Sequence, residues 1–163
     1  MKKLILFVLL APFALHSQNN WGTYKATKTD FTFELPREDI YFNAPEDPSY
    51  YVSTEQFYNE GDDFSLMISE APSYDYTNNI DYDYFLENVA SDYDYINIYP
   101  FMEREIKPGV NSKYYIVYDT EIESMEIFGI VHDRVSKKIY EIELSLFTID
   151  VYTGVNIIYS LDL

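Results

Sequence analysis

Carboxylates are the only side chains numerous and closely spaced enough to suggest chemistry, at 28 Asp and Glu against two His and no Cys. Calcium is the first chemistry to test. Asn79, Asp81 and Asp83 fall at the first, third and fifth places of an EF-hand loop. However, Tyr84 stands where that loop needs glycine to turn sharply, and Ala90 stands where it needs a bidentate glutamate. Asp92-Tyr93-Asp94 is a bare pair of acids, and Glu60-Gly61-Asp62-Asp63 has ordinary turn composition. These acids read as a solvated face and a helix first turn. No metal ligand or other cofactor is assigned, and calcium is the one ion that the composition leaves open.

Acid-base catalysis has little to work with. His16 lies in the N-terminal leader, so His132 is the one histidine of the mature chain. On a strand it shares a face with Phe128 and Ile130 while Asp133 points the other way, so the adjacent pair is not a catalytic dyad. Beside Arg134, Lys137 and Lys138 it reads as an ordinary hairpin-end residue. No serine sits in a Gly-x-Ser-x-Gly elbow, and the five glycines form no phosphate-cradling loop. A paired-carboxylate glycosidase would suit an acidic, aromatic chain, but the carboxylate separation that defines one is not written in sequence. The expectation is a protein without catalytic residues.

More distinctive is the recurrence of Asp beside Tyr between Tyr74 and Tyr99. A tyrosine offers a flat ring with a hydrogen-bonding tip, and carboxylates accept bonds from sugar hydroxyls or cationic side chains. Tyr74, Asp75, Tyr76, Tyr84, Asp92, Asp94 and Tyr95 are therefore the candidate contact surface for a protein or a glycan. The competing reading is packing, with Tyr82 and Tyr93 turned inward and the outer rings lying along the surface.

Met1-Lys2-Lys3 followed by the apolar run Leu4 to Leu15 and the polar His16-Ser17-Gln18 has the form of a secretory signal peptide. The run falls short of the roughly 20 residues that a membrane-spanning helix needs. Residues 1–18 are thus expected to be removed and the protein exported to the periplasm or beyond the cell, with no transmembrane segment afterwards. With no cysteine there is neither a lipoprotein anchor nor a disulfide. The net charge is −17, and losing Lys2 and Lys3 makes it −19. Such a surface repels nucleic acid and anionic headgroups, and it steers cationic partners inward.

Stepping along the chain, residues 19–29 form a polar lead-in and 30–163 a single domain. Phe31, Phe33 and Leu35 alternate with polar residues, as do Phe64, Leu66 and Ile68, and Tyr50 to Glu60 reads as a strand between them. Arg37 to Ser49, with two prolines among acids, reads as loop. Tyr82, Phe85, Leu86, Val89 and Tyr93 recur at helical spacing, which predicts a helix between Asn79 and Tyr95. Four strands then follow, Ile96 to Ile106, Lys113 to Ile122, Met125 to Val135 and Lys138 to Phe147, broken at Pro108-Gly109, Ser124 and Ser136. Val151, Val155, Ile158 and Tyr159 predict a short closing helix capped by Asp150, against the preference of Gly154, and Leu161 and Leu163 are expected to pin the end into the core.

The opening strand Phe31-Thr32-Phe33-Glu34-Leu35-Pro36, the two strands after it, the helix, the meander and a closing helix ending in Ser160-Leu161-Asp162-Leu163 together resemble the PsbP-like family of secreted and lumenal domains. That resemblance implies an antiparallel sheet covered by helices and a non-enzymatic role in binding or assembly. It carries over no functional residue. The fold expected is α+β, an antiparallel sheet of about six strands, N-terminal strands and then a four-strand meander, covered by one central and one C-terminal helix. The function expected is an exported, non-catalytic binding or assembly domain for a protein partner. A glycan-binding or glycan-cleaving protein using the same acidic aromatic surface is the alternative.

Overall fold

The structure, a computed structural model, describes residues 21–36, 40–43, 51–59, 63–73, 96–121 and 124–163. Nine strands and one helix are found among them: β1 (Trp21–Lys25), β2 (Thr32–Pro36), β3 (Ile40–Asn43), β4 (Ser53–Asn59), β5 (Phe64–Glu70), β6 (Ile96–Lys107), β7 (Val110–Asp119), β8 (Ser124–Asp133), β9 (Lys138–Leu146) and α1 (Val151–Ser160). β1 and β2 pair as a hairpin. The other seven form one antiparallel sheet in the order β3-β4-β5-β9-β8-β7-β6.

The meander is built as its sequence suggests. Pro108 and Gly109 make the two-residue turn between β6 and β7, and Gly109 takes the positive φ of 84° that a β-branched or bulky residue would resist. At the next hairpin but one, the Asp133 carboxylate accepts from the amides of Val135 (2.8 Å) and Ser136 (3.0 Å) and from the Ser136 hydroxyl, closing the turn into β9.

One face of the large sheet carries the main core, where Phe57, Leu66, Ile68, Ile127, Val131, Ile142 and Leu144 are buried. The β1–β2 hairpin and α1 cover that face. Phe33 meets Phe57 edge-on at 4.8 Å, and Phe31 meets Tyr140 in the same way at 5.1 Å. Gly129 lies directly opposite Tyr114 on β7, and a Cβ there would stand 2.3 Å from the Tyr114 ring, so the missing side chain is what admits the ring. Gly154 plays the same part in α1. A Cβ on it would sit 2.8 Å from Leu146, so the glycine that weakens the helix by propensity lets it press closely onto the sheet.

Asp150 caps α1 as expected, accepting from the amides of Tyr152 and Thr153. At the other end Arg104 on β6 donates to the carbonyls of Tyr159 (2.8 Å), Ile158 (3.4 Å) and Leu161, placing a cation where the helix dipole favours one. Beyond α1, Thr32 and Asp162 exchange backbone hydrogen bonds of 2.7 and 2.8 Å, and Leu161 is buried.

Two expectations about architecture require correction. Among the described residues the cover over the core is not a pair of helices but one helix, α1, beside the β1–β2 hairpin. The structure is mostly antiparallel strand, nine rather than about six, and the central helix expected between Asn79 and Tyr95 lies outside the described residues. The strand count was low because β1 and β3 are short and sit in polar or proline-containing surroundings. Trp21 and Tyr24 give β1 its apolar contacts within a segment that reads as a lead-in, with Tyr24 stacked on Phe33 at 6.4 Å. β3 is four residues long, and its aromatic cross-strand pairs Tyr41–Tyr58 and Phe42–Phe57 hold it within an apparent loop.

Candidate functional site

Alternation along the strands sends every second side chain to the outer face of the large sheet. Two cross-strand rows result, Tyr58–Ser65–Ser145–Glu126 and Gln56–Met67–Glu143–Phe128, each running across β4, β5, β9 and β8. Over β4, β5 and β9 these rows form an open groove of about 730 Å³, lined by Gln56, Tyr58, Phe64, Ser65, Met67, Glu143, Ser145 and Phe147. Its walls are aromatic and thioether, with Phe147 61% exposed and Tyr58 stacked against the half-exposed Tyr41. Short polar side chains make its floor, where Gln56 Nε2 donates to Ser65 Oγ at 2.8 Å.

Three carboxylates stand together on the β8 and β9 part of this face. Glu141 and Glu143 stand two residues apart on β9, about 7 Å along the strand. Glu126 is the diagonal neighbour of Glu143 on β8. Glu141 accepts from the Tyr51 hydroxyl at 2.7 Å, and Glu126 accepts from Ser145 Oγ at 3.0 Å. Burial, reinforced by the charges of Glu126 and Glu141, pushes the Glu143 carboxyl up to about 7.

A different carboxylate shows what full satisfaction looks like. Glu55 on β4 points to the core side, is completely buried and accepts five hydrogen bonds of 2.7 to 3.1 Å, from the amides of Thr27, Lys28 and Thr29 and the hydroxyls of Thr27 and Thr29. Burial alone would raise its pKa, but these donors together hold it below the usual carboxylate value. Its role is to fasten the loop between β1 and β2 to the sheet. Asp63 is similarly structural: its side chain bonds Asn59 and Thr148, and its carbonyl receives the amides of Phe147 and Thr148.

His132 lies on β8 on the outer face with Phe128 and Ile130, and Asp133 turns to the other side, as the strand alternation requires. It stands at the hairpin end, one pair before the turn into β9, and is buried there. Tyr74, Asp75, Tyr76, Tyr84, Asp92, Asp94 and Tyr95 lie outside the described residues, as do Asn79, Asp81 and Asp83. Among the described residues no group of three or more His, Asp or Glu side chains is gathered as metal ligands, and no helix is long and apolar enough to cross a membrane. Sequence reasoning missed the groove. Its signal was present in β9, where Glu141, Glu143 and Ser145 alternate with Tyr140, Ile142 and Leu144, but only the register joins those residues to Gln56, Tyr58 and Met67.

No protein-family model matches the chain, and no curated protein matches it in sequence. Solved structures similar to it in fold include two of Mog1. One is a point mutant of the protein Mog1, with a TM-score of 0.53 at 8% identity, covering 87% of this chain and 95% of the other. The second is the Ran-binding protein Mog1p of Saccharomyces cerevisiae, with a TM-score of 0.52 at 8% identity, covering 87% of this chain and 94% of that one. At that identity the likeness is one of fold.

Proposed function

We propose that this protein is an exported, non-catalytic binding or assembly domain that engages a protein partner through the outer groove over β4, β5 and β9. The observation that carries the reading is the groove itself: an open trough with aromatic and thioether walls and a polar floor, set on the seven-stranded sheet. Such a surface has the mixture of rings and hydrogen-bonding groups that protein interfaces favour. The fold of a Ran-binding protein is consistent with a scaffold that works by contact. The resemblance to PsbP-like domains points the same way, and the leader-like residues 1–18 support export to the periplasm or outside the cell. The Asp-Tyr segment from Tyr74 to Tyr99 is proposed as a second contact surface.

The test is capture of a partner from native envelope extract by the purified protein and by two groove variants. Ser65→Trp fills the trough and Phe147→Ala removes an exposed wall, and both should lose the captured protein. Capture that survives both changes overturns the assignment of the groove.

One observation favours a second reading, cleavage of a glycan. A carboxyl group kept protonated near neutral pH beside another carboxyl is the arrangement that glycosidic hydrolysis uses, and Glu143 next to Glu126 has that form. Turnover of mixed polysaccharides that disappears in Glu143→Gln would establish it, and a null result across those substrates would remove it.

A further inference from the structure

Of the three outward carboxylates on β8 and β9, Glu143 is the one that lacks a donor. Tyr51 serves Glu141 and Ser145 serves Glu126, whereas Glu143 makes no hydrogen bond or ion pair with any described residue. It is half-buried on the groove floor with a like charge on each of two sides. A carboxylate in that position is stabilised only by a proton or by a cation brought from elsewhere. On this face Lys113 lies two strands away on β7, with its ammonium 5.4 Å from the centre of the Tyr115 ring.

The shape of the groove narrows the choice of cation. Its volume of about 730 Å³ and open form exceed what a single ion needs, and the described acids are not gathered as metal ligands. Tyr58, Met67 and Phe147 supply apolar area beside Glu143, which suits a cation carried by a chain that also offers an apolar side chain. The acidity of the whole protein, at −17, adds long-range attraction for such a chain.

We propose, resting on the reading of this face as a protein-binding surface, that the groove takes an extended segment of a partner in which a lysine or arginine meets the Glu143 carboxylate and an adjacent apolar residue packs against Tyr58, Met67 and Phe147. The charged contact supplies register and specificity, and the apolar contact supplies most of the area.

The experiment is an NMR titration of the full chain with three probes: the blocked peptide Gly-Phe-Lys-Phe-Gly, the same peptide with norleucine in place of lysine, and spermidine. The lysine peptide should shift the amides of Met67, Glu143 and Ser145. Its Kd should rise at least tenfold both on norleucine replacement and in Glu143→Gln, a change that keeps the shape of the side chain and removes repulsion, so the fold survives it. The proposal is overturned by equal binding of the lysine and norleucine peptides, by unchanged affinity in Glu143→Gln, by spermidine producing the same shifts at the same concentration, or by no shifts at millimolar peptide. Its failure is separable from that of the wider reading. Partner capture lost in Ser65→Trp and Phe147→Ala but kept in Glu143→Gln leaves the protein-binding face standing without its cationic anchor, whereas capture kept in all three removes both.

Discussion

Glu55 and Glu143 occupy neighbouring parts of one sheet, on β4 and β9, and their environments are opposite. Glu55 faces the core and receives five donors. Glu143 faces outward, receives none among the described residues and is crowded by two like charges. Burial opposes ionisation at both sites, so the difference between them is made by the donors at Glu55 and by the like charges at Glu143. A glutamate supplied with backbone amides is a fastener, and one denied them is held in readiness for something else.

The largest expected effect breaks the first half of that contrast. Glu55→Ala strands three amides and two hydroxyls beneath the hairpin and should cost about 3–5 kcal/mol, read as a drop in the urea midpoint. The same glutamate should make the fold acid-sensitive. Its folded pKa lies below the unfolded value, so its contribution is present above about 4.5 and is lost as pH falls through the folded pKa. Thermal melts of Glu55→Gln should therefore show less loss of stability in acid than the parent.

Glu143 should behave with the opposite sign. Below 4.5 it is protonated in both states and costs nothing. Between 4.5 and about 7 the unfolded chain ionises while the folded one keeps its proton, so stability falls as pH rises. Glu143→Gln should thus gain about 1–2 kcal/mol at pH 8.5 and nothing at pH 4, the full shift setting a ceiling of roughly 3 and solvent screening reducing it. Equal melting temperatures for variant and parent at pH 8.5 would remove the strain assigned to this site.

The smallest effect calibrates the scale. Asp150 is a carboxylate with amide donors in a solvent-exposed place, and Asp150→Ala should cost about 1 kcal/mol through loss of the α1 cap. Its cost should stay well below that of Glu55→Ala, because water replaces the donors at an exposed cap and cannot do so under the hairpin.

What could be read in advance follows from how local each signal is. The meander announced itself because runs such as Lys138–Leu146 alternate cleanly and Pro108-Gly109 admits one turn, and the Asp150 cap lies within three residues of the amides that it serves. β1 and β3 were missed because pairing partners, not their own composition, make them strands. The candidate site was illegible at a further remove. Gln56, Met67 and Glu143 are scattered over nearly ninety positions, and they become neighbours only through two successive strand registers. The Asp-Tyr pairs that did stand out in sequence lie outside the described residues.

The exchange of backbone bonds between Thr32 and Asp162, with the Glu34 amide donating to Ser160 Oγ at 2.8 Å, ties β2 to a segment about 130 residues further along the chain. The hairpin packs on the sheet through Phe33, Phe31 and Glu55, but its edge beside α1 closes only with residues near 160. Closure of that edge of the core is therefore a long-range step, made between segments about 130 residues apart.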